Sequence, residues 1–336
     1  MQAVDTLFEE LTATGRTEAL RRVALGRAIT LVESERPQDR VLADALVERC
    51  LPLAGRTLRV GITGIPGVGK STLIDALGMA LLAQGHRVAV LAVDPSSVRS
   101  GGSILGDKTR MERLSNAEGA FIRPTATGGD LGGVARRTRE TMVLCEAAGF
   151  DRVLVETVGV GQSELEVDRM TDLTLLLMIA GAGDELQGIK RGIMEAADLV
   201  ALTKADTDAD GRIRTAVNDL HLAIALLPLR PSGRHPEVVL TSAVTGQGID
   251  TLVVRLDALH QADLSSGHFI RRRQQQDLHW LDKATADALL RAFHADEHVR
   301  EALMRSREDV RTGRRSAHAA AEELVRLFRT GGAPRP

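Results

Sequence analysis

Short apolar and β-branched runs alternate with longer segments of helical periodicity from about residue 56 to about residue 256. Seven of these runs have the length and composition of strands, and they occupy residues 58–63, 87–93, 120–122, 152–156, 173–179, 199–202 and 238–241. Such alternation is typical of βαβ units, in which helices cover both faces of a parallel sheet. The pattern therefore predicts an α/β fold with a mainly parallel sheet.

Helical periodicity alone continues on both sides of this region. Apolar side chains recur at helical spacing near the N-terminus, and two further helical patterns with apolar faces follow residue 256. We therefore predict an N-terminal helical extension at 1–55, an α/β domain at 56–256, a C-terminal helical arm at 257–330 and a disordered tail at 331–336. On these grounds the arm packs either within the monomer or against another subunit.

Composition and charge argue against nucleic acid and membrane partners. The 336 residues include 43 Lys and Arg against 45 Asp and Glu, and they contain no Tyr, one Trp and six Phe. Neither a basic surface nor platforms for base stacking are therefore expected. No apolar run approaches the roughly 20 residues that cross a bilayer, and the acidic N-terminus resembles neither a signal nor a transit peptide. Because Cys50 and Cys145 are isolated, as a reducing compartment allows, we expect a cytoplasmic protein.

The stretch LRVGITGIPGVGKSTL at residues 58–73 joins the first predicted strand to a helix through a glycine-rich turn. In that context the pattern G-x-x-x-x-G-K-[ST] is a phosphate loop, whose backbone N–H groups approach phosphate oxygens at a helix N-terminus. Lys70 would reach the β- and γ-phosphates, and Ser71 would offer its hydroxyl to Mg²⁺. We predict that a nucleoside triphosphate contacts Gly64, Ile65, Pro66, Gly67, Val68, Gly69, Lys70, Ser71 and Thr72.

A second strand ends in an acid, with a glycine three residues later, in the segment VLVETVG at 153–159. Ligands of open α/β sheets bind at the carboxyl edge of the strands. We therefore predict that Glu156 holds Mg²⁺ or its water shell and that Gly159 contacts the γ-phosphate. The alternative is an acid that caps a helix, which the spacing to Gly159 disfavours.

Two further strand ends predict recognition of the base. In the segment LTKAD at 202–206, Asp206 would accept hydrogen bonds from the N1–H and the exocyclic amine of guanine, and the stem of Lys204 would lie against the purine. At residues 241–243 a backbone donor, from Ser242 or Ala243, would reach guanine O6. Together with the phosphate loop, these motifs describe a GTPase domain.

A glycine-rich polar segment follows the second predicted strand, which ends at Asp94, and contains Asp107. Its length and its two acids predict a mobile loop that orders around Mg²⁺ and the γ-phosphate. One acid would lie near the metal and the other would position water. For Asp107, capping of a helix is an equal alternative.

Five segments carry a resemblance to a known family: GITGIPGVGKST, AVDPSSVRSGGSILGDKTRM, FIRPTATGGDLGGVA, LVETVGVGQSE and AGAGDELQGIKRGI. Over nearly its whole length the chain resembles the MeaB/ArgK-type GTPases, the methylmalonyl-CoA mutase-associated GTPases. The resemblance implies a P-loop G domain of the SIMIBI class, which includes signal-recognition and metallochaperone GTPases, and a C-terminal arm that forms a homodimer. It also implies a chaperone that gates adenosylcobalamin loading and protects or reactivates an adenosylcobalamin-dependent acyl-CoA mutase. Its hydrolysis of GTP to GDP and phosphate would be slow alone and accelerated by the mutase.

The same resemblance assigns catalytic and metal-binding residues. The family's acids fall on Asp94, Asp107 and Glu156, with Ser71 as the hydroxyl ligand of Mg²⁺. Residues 181–193 match a third switch, in which Lys190 contributes to partner-stimulated hydrolysis. A lysine that a partner moves toward the phosphates would add positive charge where transition-state charge develops. Without the resemblance, Lys190 would be assigned to a solvated, capped helix start.

Thr203 departs from the guanine-binding motif, which usually begins with Asn. Threonine lacks the amide that contacts the purine and ties this strand to the phosphate loop. We therefore expect lower nucleotide affinity, with GTP still preferred over ATP through Asp206.

Two alternative functions remain open. A kinase acting on a transport-system binding protein would need an acceptor site, and the sequence has no separate substrate domain. A metal-delivery GTPase would need Cys or His ligands near the nucleotide, yet the one i, i+4 pair, His294 and His298, lies in the C-terminal arm. The sequence does not identify the partner mutase, which could be methylmalonyl-, isobutyryl-, 2-hydroxyisobutyryl- or ethylmalonyl-CoA mutase.

Overall fold

The computed structural model describes residues 2–13, 15, 17–94, 110–126, 131–157, 163–179, 191–207 and 211–331. Within these ranges the strands are β1 (Leu58–Gly64), β2 (Val88–Asp94), β3 (Ala120–Ala126), β4 (Arg152–Thr157), β5 (Leu173–Ile179), β6 (Leu199–Thr203) and β7 (Glu237–Leu240). The α-helices are α1 (Gln2–Thr12), α2 (Glu18–Glu33), α3 (Pro37–Cys50), α4 (Lys70–Ala83), α5 (Glu112–Asn116), α6 (Leu131–Ala147), α7 (Ser163–Asp168), α8 (Arg191–Ala196), α9 (Arg212–Ala225), α10 (Ile249–Ser265), α11 (His268–Ala295), α12 (Glu297–Arg311) and α13 (Ala317–Arg329).

The described strands form one sheet in the order β3-β2-β4-β1-β5-β6-β7, and every neighbouring pair is parallel. The predicted α/β fold with a mainly parallel sheet is therefore confirmed. Parallel strands with helices on both faces are buried on both sides, and all seven residues of β1 are buried. The carboxyl ends of the strands meet at one edge, where the predicted nucleotide residues lie.

Strand β3 extends to Ala126, beyond the predicted end at residue 122. Pro124 lies within it, opposite Ala92 of β2, and lacks the N–H that a ladder needs. Because β3 is the outermost strand on its side, its other edge needs no such donor. The strand therefore continues through Pro124.

The two faces of the sheet carry separate apolar clusters. Leu175 and Leu177 of β5 join the cluster that α4 and α10 cover, whereas the alternate residues Leu176 and Met178 join a cluster with α8 and α9. This period of two is what a strand buried on both faces requires. It fixes α4, which begins in the phosphate loop, firmly against the sheet.

At the amino edge of the sheet, buried ion pairs hold the start of α11. Arg273 donates through Nε and Nη2 to the two carboxylate oxygens of Asp172, at 2.8 Å each, and Asp172 Oδ2 also accepts from the N–H of Arg59 at 2.8 Å. Burial raises the pKa of Asp172, but Arg273 and Arg59 outweigh burial and hold this pKa below its usual value. The carboxylate is therefore stabilised in its charged form.

The contacts of the chain divide it after Gln274. In the unit from Gln275 onward, α12 and α13 pack together, and the rings of Phe293 and Phe328 meet edge to face with centroids 5.5 Å apart. Asp296 and Ser316 cap these helices by accepting from the N–H groups of Val299 and Ala319. The predicted domain boundaries and the dimerising role of the arm stay predictions.

Candidate functional site

The phosphate loop connects β1, which ends at Gly64, to α4, which begins at Lys70. A Cβ atom at Gly64 would lie 2.7 Å from the carbonyl oxygen of Leu177, so only glycine fits there. Gly69 caps α4 with a φ of 99°, which other residues rarely adopt. The unpaired N–H groups at this helix N-terminus, together with the helix dipole, favour an anion.

Lys70 is buried beneath the loop. Its Nζ donates to the carbonyl oxygens of Gly64 at 2.7 Å and Ile65 at 3.1 Å. The ammonium group therefore lies within the turn that the glycines create. This is the position from which a lysine can contact the phosphates of a nucleotide.

Ser71 and Glu156 are in direct contact. Ser71 Oγ donates to Glu156 Oε1 at 2.9 Å, and Glu156 is buried at the end of β4. A hydroxyl and a carboxylate side by side are oxygen donors of the kind that Mg²⁺ prefers. The residues present thus fit the predicted metal.

The backbone of Asp94 reaches the same edge. Ala92 and Val93 of β2 pair with Glu156 and Thr157 of β4, so Asp94 follows directly beyond this pair. Its side chain is outside the described part of the chain. Asp107, Gly159 and Lys190 lie outside the described residues altogether, and their roles stay predictions.

Thr203, the last residue of β6, is buried beside the phosphate loop. Its Oγ1 lies 2.9 Å from the carbonyl oxygen of Val68 and 3.1 Å from that of Met178. The expectation that threonine fails to tie this strand to the phosphate loop is therefore wrong, because the hydroxyl makes that contact in place of an amide. The predicted loss of affinity stays a prediction.

Lys204 and Asp206 follow on the exposed side of this strand end. Lys204 has a φ of 58°, and its Nζ lies 3.3 Å from the carbonyl oxygen of Gly67. Asp206 is exposed in the 3-10 turn Ala205–Thr207, and the N–H of Ala205 donates to the carbonyl oxygen of Thr241 at 3.0 Å. That bond brings the two predicted base-recognition segments together.

Of the two predicted donors to guanine O6, Ser242 already makes hydrogen bonds within the turn that follows β7. Its N–H donates to the carbonyl oxygen of Gln247 at 2.9 Å, and its hydroxyl accepts from the N–H of Thr245 at 3.2 Å. The N–H of Ala243 donates to no described residue. Ala243 is therefore the better placed donor.

Asp75 is a functional candidate that was not predicted from sequence. It lies four residues after Ser71 on α4, and its carboxylate accepts from Arg113 Nε at 2.7 Å and from the N–H of Leu114 at 2.9 Å. It thereby fixes α5, which follows the segment that contains Asp107, to the helix of the phosphate loop. The sequence could have indicated Asp75, because it is the one acid in α4, among mostly apolar residues. A charge buried there needs hydrogen-bond or ionic partners.

None of the described helices has the length and apolar character needed to cross a membrane. No group of three or more His, Cys, Asp and Glu side chains in the described ranges is arranged to hold a metal ion.

Comparisons with known proteins identify the family of this chain. A model of the family described as methylmalonyl-CoA mutase-associated GTPase MeaB matches residues 25–298. GTPase ArgK of Escherichia coli K12 is 48% identical over 276 residues, which cover 82% of this chain and 83% of ArgK. The mitochondrial methylmalonic aciduria type A homolog of Mus musculus is 43% identical over 320 residues, which cover 92% of this chain and 77% of the mouse protein.

A solved structure matches nearly the whole chain. The crystal structure of a LAO/AO transport system kinase superposes with a TM-score of 0.74 at 36% identity and covers 98% of each chain. The resemblance identified from the five sequence segments and the predicted G-domain fold are confirmed. The chain belongs to the methylmalonyl-CoA mutase-associated GTPase (MeaB) family.

Proposed function

We propose that this GTPase is a chaperone of an adenosylcobalamin-dependent acyl-CoA mutase, with GTP binding and hydrolysis gating cofactor loading. The contact between Ser71 and Glu156 beside the phosphate loop carries the proposal, because it joins a hydroxyl and an acid that Mg²⁺-dependent hydrolysis needs. The family membership supplies the connection to the mutase. Protection or reactivation of the mutase by release of damaged cofactor belongs to the same proposal.

Mg²⁺ would be held by Ser71, Glu156 and Asp94. When bound there, the metal would neutralise charge that develops on the β- and γ-phosphates. Lys70 would exchange the carbonyl oxygens of Gly64 and Ile65 for phosphate oxygens. Asp107 would position the attacking water, and Gly159 would contact the γ-phosphate.

The base would be bound between two strand ends. Asp206 would accept from the guanine N1–H and exocyclic amine, the stem of Lys204 would cover the purine, and Ala243 would donate to O6. The bond from Ala205 to Thr241 supports this arrangement because it fixes both segments in one place.

Intrinsic hydrolysis would be slow and the mutase would accelerate it through Lys190. The test is GTP turnover measured with and without each purified candidate mutase, together with the rate at which that mutase inactivates. We expect stimulation and protection with one of them, either methylmalonyl-CoA mutase or a relative such as isobutyryl- or 2-hydroxyisobutyryl-CoA mutase. Absence of both effects with every candidate would contradict the chaperone role.

Substitutions at Lys190 separate basal from stimulated turnover. Lys190→Ala should leave basal turnover nearly unchanged and abolish stimulation, because the positive charge acts only when the partner orders it. Lys190→Arg keeps that charge and serves as the matched control, with partial stimulation expected. Equal loss of basal and stimulated turnover in Lys190→Ala would remove this role.

A homodimer formed through the C-terminal arm is part of the proposal. Leu278, Leu281 and Leu289 of α11 fall on one face of the helix, and 63%, 61% and 58% of these residues are exposed. Apolar side chains in such a row favour a covering partner. Leu281→Glu should shift the protein from dimer to monomer in sedimentation velocity, whereas Leu222→Glu, at an exposed apolar residue of α9 outside the arm, is the control.

A further inference from the structure

The carbonyl group of Val68 depends on one side chain. Val68 is fully buried, and among the described residues only the hydroxyl of Thr203 donates to its oxygen, at 2.9 Å. A hydroxyl has one proton, so it satisfies either Val68 or Met178 at a given moment. Without this hydroxyl, no residue in the described ranges would donate a hydrogen bond to the buried carbonyl oxygen of Val68.

The conformation at the end of β6 directs two neighbouring side chains to the same loop. In an extended strand, successive side chains point to opposite faces. The left-handed φ of 58° at Lys204 interrupts that alternation. Thr203 and Lys204 therefore contact two successive carbonyl groups of the phosphate loop, those of Val68 and Gly67.

The direction of one backbone donor follows from this contact. No described peptide bond is cis, so the N–H of Gly69 points opposite to the carbonyl of Val68 in the same peptide plane. The flanking glycines, Gly67 and Gly69, have φ values of 80° and 99° and give this peptide little rigidity of its own. Among the described residues, the N–H of Gly69 has no acceptor.

We propose that Thr203 is a positioning residue for phosphate binding. Its hydroxyl holds the Val68 carbonyl toward β6 and thereby aims the N–H of Gly69 at the phosphates of the nucleotide. The inference rests on nucleotide binding at this site and is independent of the mutase. In this proposal Thr203 affects binding of the nucleotide's phosphates, whereas Asp206 recognises the base.

The test compares nucleotide affinities of the parent protein with Thr203→Val and Thr203→Ser by calorimetry. Valine has the same shape without a donor, whereas serine keeps the hydroxyl. We expect about tenfold weaker GDP binding in the valine variant and affinity within about threefold of the parent in the serine variant. Inosine diphosphate lacks the exocyclic amine of guanine. Its binding to the valine variant should weaken by the same factor as the binding of GDP.

Three outcomes would overturn the proposal. These are parental affinity in Thr203→Val, affinity in Thr203→Ser as weak as in Thr203→Val, and an altered ratio of GDP to inosine diphosphate affinity, which would place Thr203 at the base. If the valine variant does not fold, Thr203→Asn and Thr203→Ser both retain a donor and should show the parental GDP-induced shift of the Gly69 amide by NMR. Loss of that shift in both would equally reject the role.

Discussion

Ser71 Oγ lies 2.9 Å from Glu156 Oε1, although the two residues are 85 positions apart in the chain. The first turn of α4 supplies the hydroxyl, and the carboxyl end of β4 supplies the acid. Adjacent pairing of β1 with β4 brings these two ends together. The metal ligands predicted from two separate motifs therefore form one group.

Ser71→Ala should weaken GTP binding in the presence of Mg²⁺ and reduce turnover by about ten- to a hundredfold, since a metal ligand is removed. Binding measured with a chelator should change little, because the hydroxyl acts through the metal. The measurement is titration of GTP with and without Mg²⁺. Ser265→Ala, which removes an exposed hydroxyl bonded to the carbonyl of Gln261, is the control; an equal loss with and without Mg²⁺ would contradict the metal assignment.

Gly64→Ala should abolish nucleotide binding and lower the free energy of unfolding by about 1–3 kcal/mol. The added Cβ would lie 2.7 Å from the carbonyl oxygen of Leu177 and 3.1 Å from Leu177 Cβ and Val68 Cγ1, so the backbone of β5 would have to move. Thermal unfolding and GDP titration measure the two effects. Gly26→Ala has open space within α2 and should be neutral or slightly stabilising; similar losses in both variants would rule out the proposed clash.

Asp206→Asn should exchange base preference. The asparagine amide can donate to the C2 carbonyl of xanthine, whereas it cannot accept from both guanine donors as a carboxylate does. We expect weaker binding of GTP and stronger binding of XTP, both measured by calorimetry, with ATP weak in either protein. Asp219→Asn on the exposed surface of α9 is the charge-matched control, and unchanged GTP affinity in Asp206→Asn would exclude this contact.

The fold was largely predictable because its strands are apolar on both faces. An apolar run such as 173–179 can be buried on both faces only in a sheet that helices cover on both sides. Strand β5 has the predicted bounds. Strand β3 was the exception, since proline at an edge position is indistinguishable in sequence from proline that ends a strand.

The chemistry of the site was predictable where a motif is local, as for Lys70, Ser71 and Glu156. The contact of Thr203 with Val68 joins residues 135 positions apart, and a single hydroxyl gives no sequence signal for its acceptor. The acids that precede β5 and β6, Asp172 and Asp198, could have been noticed as charges beside apolar runs. Their arginine partners depend on the tertiary structure.

Arg273→Met should lower the free energy of unfolding by about 3–5 kcal/mol, because it leaves the buried carboxylate of Asp172 without its main partner. Denaturant unfolding measures this, and Arg311→Met, which removes an exposed pair with Glu308, should have little effect. The double variant Arg273→Met with Asp172→Asn should recover part of the loss. A strictly additive double variant would contradict direct coupling.

His260 should make the free energy of unfolding depend on pH in a defined direction. Burial, opposed by Asp172 and Asp257 and reinforced by Arg152 and Arg273, lowers the pKa of this imidazole from its ordinary value of 6.5. Its Nδ1 is buried without a hydrogen-bond partner in the described residues, so protonation gains no acceptor there.

Above pH 6.5 both the folded and the unfolded imidazole of His260 are neutral, and this group adds no pH dependence. As the pH falls below that value, the unfolded chain binds a proton that the folded chain does not, so stability decreases by up to about 1.4 kcal/mol per pH unit. His260→Phe should therefore lose less stability than the parent between pH 7.5 and 5.5. Groups common to both proteins, including Asp198, whose pKa burial raises, cancel in that difference. Parallel curves for the parent and His260→Phe would show that His260 is protonated equally in the folded and unfolded states.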